Sequence, residues 1–228
     1  MDLNELQFAF FFKEPSQLAY DELSYKFKQQ ISQLNSEINF ETTIFPLPSG
    51  VPIPSEVPRC QITSSDQKFK ITFSLDRCDI NCGFDKSFGN IYTSEYFYNV
   101  VTIIFELISV KIDFKRYGHI ANFFKVINNP KEIIAEKLIK PKIKSPIADT
   151  FVNFGNIESL DKFSLNKIYQ FRSAVKQNFS NGRLEEIIFI IKDFNTSENS
   201  IINKNLFINF ISATKDIIET DDIKEYLK

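Results

Sequence analysis

The chain has 228 residues, 43% hydrophobic and 25% charged, with 27 Lys plus Arg against 29 Asp plus Glu. That composition fits a folded globular chain, one large domain or two small ones sharing a core, and excludes a disordered one. A formal net charge of −2 supplies no global basic excess to neutralise phosphates, which argues against general nucleic-acid binding.

From the N-terminus, 6–12 is a short aromatic-rich run closed by Lys13-Glu14-Pro15, the pattern of a buried strand. Ser16 stands where a helix N-cap belongs. Tyr20, Leu23, Phe27, Ile31 and Leu34 follow at helical spacing and predict an amphipathic helix over 17–35. A strand is expected over 38–45. Pro46, Pro48, Pro52, Pro54 and Pro58 then interrupt any ladder, since proline has no N–H to donate. This stretch reads as a stiff connector across a sheet edge, with a polyproline-type ligand as the alternative.

The best-patterned segment is 59–84. Over 68–75, Phe69, Ile71, Phe73 and Leu75 alternate with Lys68, Lys70, Thr72 and Ser74, a strand with one buried and one wet face. After Asp76-Arg77 the apolar parity passes to Cys78, Ile80, Cys82 and Phe84. A two-residue turn at Asp76-Arg77 predicts the pairs Leu75 with Cys78, Phe73 with Ile80, Ile71 with Cys82 and Phe69 with Phe84. One long bulged strand is the competing account.

A polar loop is expected over 85–92, then a helix capped by Thr93 or Ser94 and running to 109. It is apolar most of the way round and so should be the central buried helix. A strand follows over 111–127, where Gly118 allows a bend or bulge. Asn129-Pro130 opens a helix through Ile133, Ile134, Leu138 and Ile139. The basic, proline-bounded stretch 140–147 reads as a linker between an N-terminal half, 1–139, and a C-terminal half, 148–228. Strands are expected over 150–157 and 164–179. Asn181-Gly182 then gives the strongest hairpin signal, joining 173–179 to 184–192. Ser200 is expected to cap a last long helix, with a further turn at 221–227. The order predicts an α+β fold of mostly antiparallel meanders packed on long apolar helices, in two loosely similar halves.

Ser64-Ser65-Asp66, the strand KFKITFS, Arg77-Cys78-Asp79-Ile80, RYGHIANFF at 116–124, Asn129-Pro130 and the acidic Thr220-Asp221-Asp222 together give the chain a second kind of signal. In these features it resembles a sporadically distributed, uncharacterised bacterial family of single-chain α+β proteins, although it lacks the Trp residues such proteins often carry. The resemblance implies an antiparallel α+β fold and the patchy distribution of mobile, defence or toxin–antitoxin genes. It transfers no active site.

Chemistry is sparse. With six Gly the chain has neither GxGxxG nor GxxxxGK[ST], the loops whose backbone amides approach phosphates. No GxSxG elbow is present, and His119, the only histidine, is read as structural or exposed. Cys60, Cys78 and Cys82 together with His119 number enough ligands for zinc, but the hairpin points Cys78 and Cys82 to the apolar face as small core residues. No metal or cofactor is therefore expected. Three thiols in a chain of this length imply a reducing cytosol, and no segment reads as a signal peptide or a membrane span, so a soluble cytoplasmic protein is expected.

Arg77, Asp79, Arg116 and His119 remain as the candidate binding residues, with Arg116 joining the Asp76-to-Asn81 polar strip if its strand pairs alongside. The lysines at 125, 131, 137, 140, 142 and 144 form one locally basic region, suited to loose phosphate contact more than to base reading. The reading that follows is a non-catalytic protein-interaction subunit, an accessory or neutralising component of a bacterial defence or toxin–antitoxin type system. It would bind a protein partner or a second copy through sheet faces and edges. The alternative is an enzyme acting on nucleotides or nucleic acid through the Arg77/Asp79/Arg116/His119 region.

Overall fold

A computed structural model describes residues 1–35, 37–46, 52–84, 92–139, 149–160, 163–178, 181–197 and 202–219. The expected linker 140–147, the Ser200 cap and the turn at 221–227 lie outside the described residues.

Among the described residues every strand joins one antiparallel sheet of nine strands, in the order β2-β3-β4-β5-β1-β6-β9-β8-β7. The first strand, β1 (Asp2–Phe12), is at its centre, paired with β5 (Arg77–Gly83) on one side and β6 (Phe114–Val126) on the other. From β5 the meander runs outward through β4 (Phe69–Phe73) and β3 (Cys60–Ser64) to β2 (Phe40–Ile44). From β6 the sheet continues through β9 (Leu184–Thr196) and β8 (Phe163–Gln177) to β7 (Phe151–Leu160). The strands on both sides of the expected linker thus belong to one hydrogen-bonded ladder, joined at β6–β9.

The α+β class with a large antiparallel sheet is as expected, but the helices are short. Helices α1 (Tyr20–Leu34) and α2 (Ser94–Ile108) have 15 residues each and α4 (Lys204–Glu219) has 16. Helix α3 (Pro130–Ile134) has five, and its chain continues as a π-type turn over Ala135–Ile139.

Period-2 alternation decides which side of the sheet each residue serves. Leu6, Phe8, Phe10 and Phe12 of β1, Cys78, Ile80 and Cys82 of β5, and Tyr117, His119 and Ala121 of β6 are all buried on one face. Helices α1, α2 and α4 pack there. Phe27 meets Phe40, Phe105 stacks on Phe207 with centroids 3.8 Å apart, and both rings lie against Phe10. Helix α2 begins as expected, with the Thr93 hydroxyl accepting the Tyr96 N–H at 3.0 Å.

Local departures from expectation have local causes. Phe73 pairs with Cys78, Ile71 with Ile80 and Phe69 with Cys82, two residues away from the predicted register. The Ser74 hydroxyl donates to Asp76 Oδ1 at 2.6 Å and accepts the Arg77 N–H, and the Ser74 N–H donates to the Arg77 carbonyl at 2.9 Å, so the turn falls at Leu75-Asp76, one residue before the expected one. A slip of two leaves Phe69, Ile71, Phe73, Cys78, Ile80 and Cys82 on their expected buried face. Ser16 is not a cap: α1 starts after Ala19, and buried Ser16 instead donates its N–H to the Leu75 carbonyl at 2.7 Å. The two β1–β6 irregularities lie at Asn4, between the pairs Leu3–Phe123 and Glu5–Asn122, and at Lys115, between Phe11–Arg116 and Phe12–Phe114, rather than at Gly118. Gly182 does take the expected positive φ of 69°, but pairing ends at Gln177–Leu184, which makes the connection longer than a two-residue turn. Helix α4 starts at Lys204, capped by the Asn203 side chain accepting the Leu206 N–H.

Candidate functional site: the open face of the sheet

The face opposite α1, α2 and α4 brings three of the four expected residues together. Phe11 of β1 is flanked in register by Arg77 of β5 and Arg116 of β6. Two residues along β1, Ala9 is flanked by Asp79 and Gly118. Two strand spacings put the arginine backbones roughly 10 Å apart across β1. Arg77 Nε donates to Asp79 Oδ2 at 2.9 Å, and the Arg116 guanidinium lies over the Phe11 ring, 4.2 Å from its centroid.

His119 is not part of this group. It lies an odd number of residues beyond Arg116, so the strand turns it to the helix-covered face, where it is fully buried. Thr214 Oγ1 donates to the Phe210 carbonyl at 2.8 Å, which leaves His119 Nδ1 to donate to Thr214 at 2.8 Å. Its ring lies under Phe97 and edge-on to Tyr98. Burial alone lowers its pKa to about 3, so the ring is neutral and structural. The four-residue grouping is corrected to Arg77, Asp79 and Arg116.

The same face carries residues the sequence reading did not single out. Asn166 donates to Asn195 Oδ1 at 3.1 Å, and the Asn195 amide reaches Asp193 Oδ1 at 3.4 Å. Asn122 donates to Glu5 at 2.8 Å. Burial pushes the Asp79 carboxyl above its ordinary range, against the pull of Arg77. Burial likewise raises Asp193, against a hydrogen bond from Asn195 and the charge of Arg116. Strand parity was the available signal, because Asp193 and Asn195 alternate with buried Lys192 and Phe194.

Asp79 and Asp193 stand on β5 and β9, three strand spacings apart, roughly 14 Å. Two carboxyls at that distance cannot both reach one reacting atom. Arg116 Nε is buried and has no hydrogen-bond acceptor among the described residues, whereas the Arg77 side chain beside it is 42% exposed. A polar cleft of about 310 Å³, lined by Glu41, Thr43, Gln61, Thr63 and Lys70 among others, extends the same face toward β2.

The thiols are core residues. Cys60, Cys78 and Cys82 are free and wholly buried, and burial raises each thiol pKa, that of Cys60 to about 11. Among the described residues no group of three or more His, Cys, Asp or Glu is placed to hold a metal ion, and no helix is long and apolar enough to cross a membrane. Neither a scan against protein-family models nor a search of curated proteins finds a match to the chain.

Proposed function

We propose that the chain is a non-catalytic protein-interaction subunit that recognises its partner through the open face of the sheet. The observation that carries this reading is the Arg77–Phe11–Arg116 row. It places two guanidinium groups and an aromatic ring in register on the central strands, with Arg116 Nε unsatisfied. Arginine and aromatic groups are frequent anchors of protein interfaces, and the part-exposed Arg77 is the group a partner's carboxylate could reach. An accessory or neutralising role in a bacterial defence or toxin–antitoxin type system is the setting that the family resemblance implies. The competing reading is an enzyme acting on nucleotides or nucleic acid through the Arg77/Asp79/Arg116/His119 region, of which His119 lies on the other face of the sheet.

Arg77→Ala and Arg116→Ala, tested together for biological effect and for partner co-purification from the native host, separate the two readings. Loss of both properties with the fold intact is expected. Loss of the biological effect with partner binding intact would overturn the proposal in favour of an enzyme.

A further inference from the structure

The two edges of the sheet are unequally protected. At one edge β2 has five residues, includes Glu41 and is followed by Pro46, features that discourage strand addition. At the other, β7 has ten residues, FVNFGNIESL, with no proline or lysine. Its one charge, Glu158, is ion-paired with Lys167 of β8. Among the described residues nothing pairs with the outer edge of β7. Phe151 and Ile157 point from it into solvent at 59% and 72% exposure.

We propose that two copies of this chain join by pairing their β7 strands antiparallel, with Phe154 opposite Phe154 of the second copy, so that their two sheets become one. A two-fold axis perpendicular to the sheet keeps each face on its own side, so only residues of equal parity meet. In the Phe154-centred register, Phe151 of each copy lies opposite Ile157 of the other. Asn153 meets Gly155, Val152 meets Asn156, and Glu158 meets Thr150, so no like charges face each other. A two-residue slip either way sets Phe151 against Ser159 or Gly155 and leaves Ile157 against Asn153 or Asp149. The centred register alone covers both exposed apolar groups with an aromatic–β-branched cross-strand pair.

The open face supports the same register. Phe124, Phe189, Arg172 and Phe151 lie in one row across β6, β9, β8 and β7, with the Arg172 guanidinium 4.6 Å from the Phe189 ring centroid. The second copy's Ile157 continues that row. Each chain has one β7 edge, so association closes at two copies. The dimer and the Arg77–Arg116 recognition site occupy different parts of the sheet, and either stands if the other fails.

The test is mass in solution by light scattering and sedimentation over a range of concentrations. The wild type is expected at twice the 26.5 kDa chain mass. The variants F151K/I157K and F151E/I157E place like charges in contact and should each associate at least about a hundredfold more weakly. Mixing the two should restore a dimer containing one copy of each. Because both side chains are exposed, both variants should keep the wild-type circular dichroism spectrum. A wild-type monomer at every concentration overturns the proposal, a result independent of the variants. Open-ended oligomers, variants that remain dimeric, or a mixture that stays monomeric overturn it equally.

Discussion

The guanidinium of Arg116 lies 4.2 Å from the centroid of the Phe11 ring, held there because the two residues are paired directly across β1 and β6. On a half-open face a cation–π contact of this kind is worth about 0.5–1 kcal/mol. A double-mutant cycle with Arg116→Ala and Phe11→Leu, read by urea unfolding, should return a coupling of about that size. A coupling indistinguishable from zero would mean that the ring does not position the arginine.

His119 makes acid stability a test of its burial. Its folded pKa of about 3 lies below the unfolded value of about 6.5, so within that window the unfolded chain binds a proton that the folded chain refuses. Stability is therefore lost as pH falls, by up to about 1.4 kcal/mol per pH unit from this group. His119→Leu should lower stability at pH 7 but show a shallower fall between pH 6.5 and 4.5. Equal slopes in the two proteins would contradict a buried neutral imidazole.

Asp193 should behave with the opposite sign. Burial raises its folded pKa above the unfolded value, so its carboxylate costs stability that is recovered as pH falls through the folded pKa. Asp193→Asn should therefore be at least as stable as the wild type at pH 7, within about 1 kcal/mol. Its advantage should shrink toward pH 4. A large loss of stability at pH 7 would show that the charge is needed for folding.

The three thiols should resist modification. Each is fully buried with a raised pKa, so little thiolate forms at neutral pH and reagents cannot reach it. A thiol-specific chromogenic reagent at pH 8 should label no cysteine in the folded chain and all of them in denaturant. Rapid labelling of the native protein would place at least one thiol outside the core.

Strand parity made much of this legible. The alternation around Phe69, Ile71 and Phe73 gave the correct face for these residues even though Ser74 and Asp76 closed the turn one residue earlier than expected, because the resulting slip of two preserves parity. Thr93 was readable as a cap because its signal is local. Ser16 was misread because a tertiary bond to the Leu75 backbone outcompeted the helix end. The insertion of β1 between β5 and β6 depends on long-range pairing, which no local pattern encodes. The odd spacing of Arg116 and His119 already placed them on opposite faces, and only a bulge at Gly118 would have reunited them. The irregularities formed at Asn4 and Lys115 instead.

Partner affinity tests the recognition site most directly. The protein captured from the native host should be titrated calorimetrically into the wild-type chain and into the R77A/R116A double variant, each with its fold verified by circular dichroism. At least about hundredfold weaker binding by the variant is predicted, as for interface anchors whose loss costs about 2 kcal/mol or more. Equal affinity for the two chains would contradict recognition through the face around Phe11.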